Sequence, residues 1–80
     1  MRQEIRIPPL PYEEMVVIHC IPAGTPVGEE DVIAHLDCSD AVIDFPAMYS
    51  GQLVQWCVEN YAVVSTEDLI AIIETTNRSD

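Results

Sequence analysis

Short runs rich in valine, isoleucine and aromatic residues alternate along the chain with clusters of turn-forming residues. The apolar runs lie at about 15–21, 32–36, 41–45, 52–58 and 69–73, and residues 5–7 lead into them. The clusters at 22–26, 38–40 and 49–51 contain proline, glycine, serine and aspartate, which favour turns. No segment keeps a helical hydrophobic period over more than two turns. The pattern predicts an all-β domain.

Two segments of the chain repeat each other at an offset of 37 residues. Residues 30–37, EDVIAHLD, match residues 67–74, EDLIAIIE. The same offset relates Val16 to Leu53, Cys20 to Cys57, Ile21 to Val58, and Val27 to Val64. Two short halves cannot each bury an apolar face alone, so they should pack together.

The repeat therefore predicts a flattened β-sandwich, or barrel-sandwich hybrid, whose halves are related by a pseudo-twofold axis. Neither 30–37 nor 67–74 should be helical. We expect the two chain ends to lie in neighbouring strands, with the turn at Asp40 at the opposite end of the molecule.

The 80 residues are enough for one domain, with a core at about 5–75 and a polar tail or linker start at 76–80. No apolar run is long enough to cross a membrane, and the N-terminus lacks the apolar stretch of a secretory signal. The three cysteines are too few and too odd in number for a disulfide framework. These features predict a cytoplasmic protein with free thiols.

The charge balance and the absence of lysine exclude several kinds of function. Fourteen acidic residues against three arginines give a formal net charge of −11, which repels nucleic acid and anionic lipid. The 80 residues contain no lysine. Schiff-base catalysis and amide-linked cofactors both need a lysine amine, so neither is expected on this chain.

The repeated pattern resembles the biotinyl/lipoyl carrier domains of 2-oxo acid dehydrogenase acyltransferases and biotin-dependent carboxylases. Residues 21–37 carry an apolar strand, a Gly-containing turn, a valine and an apolar strand ending in an acid. Residues 51–74 repeat this pattern after Gly51. The chain departs from the family at Tyr61-Ala62, where a Gly-Asp turn is usual, and at Glu30 and Glu67, where glycine is usual.

Lipoyl domains carry Asp-Lys-Ala at the tip of a β-hairpin between the halves, and this chain has Ser39-Asp40-Ala41. The resemblance thus places Asp40 at the position of the lipoyl-lysine. Ala41 makes the tip more similar to lipoyl than to biotinyl domains, which resemble Met-Lys-Met there. A carboxylate cannot form the amide bond that attaches lipoate or biotin, so no cofactor is expected. Aspartate also suits a turn for purely local reasons.

Other candidate sites have simpler structural interpretations. His19, Cys20, His35, Cys38 and Cys57 are metal-ligand types, but their spacing is poor for one ion, and no metal is expected. Cys38, beside the hairpin tip, is predicted to be the most accessible thiol, although a catalytic cysteine would need an oriented histidine. The acidic clusters at 29–31 and 67–68 should be solvated turn residues. Trp56 should pack rather than bind a ligand.

The sequence thus favours a non-enzymatic, lipoyl-like domain that serves in protein interaction or structure. It resembles part of a dihydrolipoamide acyltransferase-like chain, so its partners would be proteins such as 2-oxo acid dehydrogenase-type components, and neither nucleic acid nor membrane. One alternative is a working lipoyl carrier with an altered attachment site. Another is an adaptor that reuses the fold for small-molecule or membrane-fusion work, which rests on fold analogy alone.

Overall fold

The computed structural model describes residues 1–75, and these residues form eight β-strands. The strands are β1 (Arg2–Arg6), β2 (Met15–His19), β3 (Pro26–Val27), β4 (Val32–Asp37), β5 (Val42–Pro46), β6 (Gly51–Trp56), β7 (Val63–Val64) and β8 (Leu69–Thr75). No helix long and apolar enough to cross a membrane occurs among the described residues. The tail expected at 76–80 lies outside this range.

The strands form two antiparallel four-stranded sheets, which we call sheet A and sheet B. Sheet A has the order β1-β8-β6-β3, and sheet B has the order β5-β4-β2-β7. The predicted all-β flattened sandwich is confirmed. The repeat segments at 30–37 and 67–74 contain β4 and most of β8, so neither of them is helical.

Each sheet contains two strands that come from the other half of the chain, β1 and β3 in sheet A and β5 and β7 in sheet B, and one of each two is short. Strand β3 of the first half pairs with β6, where Val27 lies opposite Gly51. Strand β7 of the second half pairs with β2, where Val64 lies opposite Met15. Strands β3 and β7 are not predicted by the sequence pattern, because two residues are too few to show alternation.

Hydrogen bonds at matching positions confirm the pseudo-twofold relation between the halves. The amides of Cys20 and Cys57 donate to the carbonyls of Ile33 and Ile70, at 2.9 and 2.7 Å. The acidic clusters also match, since the Asp31 carboxylate accepts from the Gly28 amide and the Asp68 carboxylate from the Ser65 amide, both at 2.8 Å. These two aspartates therefore fix turns, as expected.

The offset between the halves changes by one residue inside β6. Val17 lies opposite Leu36 in sheet B, whereas Leu53 lies opposite Ile73 in sheet A. The register of β6 shifts between Leu53 and Gln55, so Val54 is an extra, bulged residue. The predicted match of Val16 with Leu53 is therefore wrong, and Leu53 corresponds to Val17.

The core lies between the two sheets and takes residues from both halves. Its fully buried side chains include Val17 of β2, Leu36 of β4, Leu53 of β6 and Ile73 of β8. Buried and outward residues alternate along β2, whereas β4 and β8 each bury two adjacent residues, Ile33-Ala34 and Ile70-Ala71, before the alternation resumes. Packing across the sandwich therefore needs both halves at once.

Two non-glycine residues adopt left-handed backbone at the positions where the family pattern departs. Tyr61 has φ 69° and corresponds to Gly24, which has φ 98°. Glu67 has φ 73°. Their amides donate to Val17 and Ile7 carbonyls at 2.7 Å, which holds each loop against the sandwich. Each residue costs on the order of 1 kcal/mol relative to glycine.

The start of β1 and the end of β8 lie at the opposite end of the molecule from the β4–β5 hairpin tip, as predicted for the first and last strands. Strands β1 and β8 are neighbours, and the Thr75 amide donates to the Met1 carbonyl at 2.7 Å. In sheet B the hairpin tip lies beside the start of β2, since Val16 pairs with Asp37. The short connection 47–50 joins the far end of β5 to the end of sheet A where the termini lie.

Gly51 should be intolerant of any side chain. A Cβ at this position would collide with the Glu74 carbonyl oxygen and lie 2.9 Å from Cα of Thr75, both of which are backbone atoms of the adjacent strand. Gly51→Ala should lower the free energy of unfolding by about 2 kcal/mol, measured by urea denaturation. The matched control is Gly28→Ala, whose Cβ would meet only the Asp31 carboxylate at 3.6 Å. Equal losses in the two variants would contradict the assigned register of β6 and β8.

Candidate functional site at the hairpin tip

The hairpin between β4 and β5 ends in a two-residue loop that presents Asp40 to solvent. The strands pair up to Asp37 opposite Val42. Beyond that pair, the Cys38 amide donates to the Ala41 carbonyl at 2.8 Å, which closes the loop around Ser39 and Asp40. Ser39, Asp40 and Ala41 are all exposed. Asp40 is therefore an exposed residue of the tight loop at this end.

Tyr12 approaches the hairpin tip from the segment that joins β1 to β2. Its ring is half-buried against the core. The charge of Asp40 raises the pKa of the Tyr12 phenol above its ordinary value, and burial and the Cys38 thiol raise it further. Sequence analysis missed this residue, because nothing in the spacing of residues 12 and 40 indicates that they meet.

A shallow, open depression lies between this segment and the tip. Its lining is mostly polar and comprises Pro11, Tyr12, Glu13, Glu14, Ser39 and Ser65. Glu13 and Glu14 are exposed, as are Asp37 and Asp40 on the hairpin, so this end of the molecule is strongly acidic. An open acidic surface of this kind suits contact with a basic partner better than enclosure of a small apolar molecule.

Cys38 is buried, and its predicted accessibility is wrong. Only 7% of it is exposed, and its Sγ lies 3.7 Å from the Leu36 carbonyl oxygen. Cys38 continues the inward alternation of Ala34 and Leu36, so its side chain enters the core although its neighbours form the tip. Cys20 is the exposed thiol, Cys57 is intermediate, and all three cysteines are free.

The three thiols should react at different rates. Desolvation is the largest cause that raises the pKa of each thiol, and nearby carboxylates raise it further. With a thiol reagent at neutral pH, we expect Cys20 to react first, Cys57 more slowly and Cys38 only on unfolding. Peptide mapping by mass spectrometry after timed labelling measures this order. Labelling of Cys38 in the folded protein as fast as Cys20 would contradict its placement in the core.

The repeat-related residues His19 and Trp56 stack on each other. Their ring centroids are 3.8 Å apart and their planes differ by 9°. The Trp56 indole donates to the Ile21 carbonyl at 3.0 Å and packs against the core, which confirms its predicted packing role. The two halves thus contact each other through a matched pair of aromatic rings.

The remaining metal-ligand candidates are not brought together. His35 Nδ1 lies 2.9 Å from Asp44 Oδ1 on the outer face of sheet B, whereas Cys38 points into the core. His19 is occupied by its stack on Trp56. Across residues 1–75 no group of three potential metal ligands is clustered.

His19 should make the stability of the protein depend on pH. Burial lowers the pKa of its imidazole below the ordinary value of 6.5, although a backbone hydrogen bond at Val58 raises it. The unfolded chain then binds this proton at higher pH than the fold does. The contribution of His19 is fully present above about pH 6.5 and is lost as the pH falls from there towards the lower folded pKa.

Urea denaturation between about pH 7 and 5 measures this dependence. His19→Phe keeps a ring on Trp56 but removes the proton, so its free energy of unfolding should fall less over this range. An unchanged slope in His19→Phe would show that the imidazole is not responsible.

Comparison with known proteins supports the fold. No family model matches the chain, and neither does any curated protein sequence. Among solved structures, the chain is similar to one described as a single-chain, multi-domain long-chain acyl-CoA carboxylase, with a TM-score of 0.79 and 18% identity. The match covers 98% of this chain and 7% of that chain. The likeness is one of fold, a flattened β-sandwich of two four-stranded sheets.

Proposed function

We propose that this chain is a non-enzymatic, lipoyl-like domain whose attachment tip has lost its amine and which now serves in protein interaction or structure. The observation that carries the proposal is the position of Asp40. Within a sandwich of the biotinyl/lipoyl type, it occupies the exposed two-residue loop of the hairpin that joins the two halves.

A carrier domain needs an amine at such a tip, because lipoate and biotin are attached by an amide bond. Asp40 supplies a carboxylate instead, and the 80 residues contain no lysine elsewhere. Other features that would expose an attachment residue are present: the loop is tight, its residues are exposed, and Ala41 follows the attachment position. These features support a carrier-type scaffold without its cofactor.

Two of the acidic residues and the three thiols are poorly suited to catalysis. Asp31 and Asp68 accept hydrogen bonds that fix turns, and the pKa of each thiol is raised, so thiolate is disfavoured. The depression beside the tip is open. These observations support a binding role over an enzymatic one.

The structural neighbour supports a role beside other domains. A sandwich like this one makes up 7% of a multi-domain acyl-CoA carboxylase chain. By analogy, the present domain would work in contact with partner proteins, and the lipoyl-like sequence of its tip favours 2-oxo acid dehydrogenase-type components.

The loss of the amine can be tested by restoring it. Asp40→Lys should turn the domain into a partial substrate for a lipoate-attaching enzyme, because such an enzyme must recognise a lysine that projects from a tight turn. Ser39→Asp combined with Asp40→Lys should be modified faster, by roughly several-fold. The carboxylate beside the target lysine should strengthen docking to the enzyme by about the value of one exposed charge pair. Intact mass after incubation with ligase, lipoate and ATP measures both variants.

Glu59→Lys is the matched control, because it makes the same change of charge on an exposed loop away from the tip. It should gain no lipoyl mass. A parallel incubation with biotin ligase and biotin distinguishes the two kinds of carrier, and we expect less modification there. If the folded double variant gains no lipoyl mass, the tip is not a former attachment site, and the likeness to carriers is one of fold without shared function.

A further inference from the structure

The outer faces of the two sheets are related by the repeat but differ in chemistry. In sheet B, one row of outward residues crosses all four strands, and we call it the valine row: Val63, Val16, Asp37 and Val42. In sheet A, the equivalent row is Pro26, Gln52, Glu74 and Arg2. Cross-strand partners share a face, so each row is a continuous strip of surface.

Three of the four residues in the valine row are valines, whereas three of the four in the equivalent row of sheet A are polar or charged. Val42 and Val63, at its two ends, are each 61% exposed, and Val16 lies between them. Ile18 adds one apolar side chain in the next row, where its cross-strand neighbours are His35 and then Asp44, and sheet A has Gln55 at the position of Ile18. Clustered exposed apolar side chains mark contact surfaces, whereas single ones do not.

Each row contains one acidic residue, and among residues 1–75 only the acid in sheet A forms ion pairs. In sheet A, Glu74 binds the Met1 amine at 2.7 Å and Arg2 at 3.3 Å. In sheet B, Val42 occupies the position equivalent to that of Arg2 in sheet A. Among residues 1–75 no cationic group lies within 4.0 Å of the Asp37 carboxylate. Among the described residues, the valine row therefore presents an acid without an ion-pair partner, flanked by half-buried Val16 and exposed Val42.

We propose that the valine row is the contact surface for a partner protein that presents an apolar patch with a lysine or arginine opposite Asp37. This inference deepens the proposed interaction role and rests on it. The net charge of −11 favours a basic partner and opposes a second copy of this chain. Val42 follows the hairpin tip directly, so the bound partner would also lie beside the acidic tip residues.

A defined peptide pair tests this chemistry. The ¹⁵N-labelled protein is titrated with a blocked peptide of alternating valine and lysine, and separately with one of alternating serine and lysine. The valine peptide should shift the amide signals of Val16, Asp37, Val42 and Val63, and the serine peptide should bind at least about tenfold more weakly. Equal binding of the two peptides, or shifts centred on sheet A, would overturn the proposal.

Two variants sharpen the result. Val42→Arg places an arginine at the position equivalent to Arg2 of sheet A, where it can pair with Asp37. This variant should bind the valine peptide about tenfold more weakly. Gln55→Arg adds the same charge to the outer face of sheet A and should leave the affinity nearly unchanged. Equal effects of the two would show that only overall charge matters.

Sedimentation velocity of the unaltered protein tests the choice of partner. The proposal expects a monomer. A dimer that Val42→Arg dissociates would overturn it, because the surface would then serve a second copy. None of these measurements involves lysine addition, so the lipoylation result and this one can fail separately.

Discussion

The exchange of two-residue strands between the sheets is the constraint on which the rest of the structure depends. Strand β3 leaves the first half to pair with β6, and β7 leaves the second half to pair with β2. Neither sheet can be completed by its own half, so the core between them forms only when both halves fold together. The stacked rings of His19 and Trp56 and the close approach of Gly51 to β8 belong to this arrangement.

The same arrangement accounts for the hairpin tip. Because the linker between the halves is the β4–β5 hairpin, its tip projects at the end opposite the start of β1 and the end of β8, and the tip residues take no part in strand exchange. Cys38 anchors the hairpin in the core, while Ser39 and Asp40 remain free of it. A residue at this position can therefore change chemically at little cost to the fold, so the proposed presence of aspartate at an attachment position is compatible with a stable sandwich.

The sequence was most informative where periodicity and repetition act over several residues. The offset of 37 predicted the two halves, the equivalence of Cys20 and Cys57 and the place of the Asp40 turn. It did not predict the bulge at Val54, because Val16 and Leu53 are both apolar and still match at an offset of 37 in the sequence. The burial of Cys38 was within reach, since it continues the inward alternation of Ala34 and Leu36. Tyr12 at the tip and the valine row were not, because both depend on contacts between distant strands.

The central claim is that the tip has the geometry of a carrier site without its chemistry. The most direct measurement is the intact mass of the unaltered protein after production in cells that contain active lipoate and biotin ligases. The account predicts the mass of the bare polypeptide. A mass increase equal to a lipoyl or biotinyl group would contradict it, because it would show that this domain carries a cofactor after all.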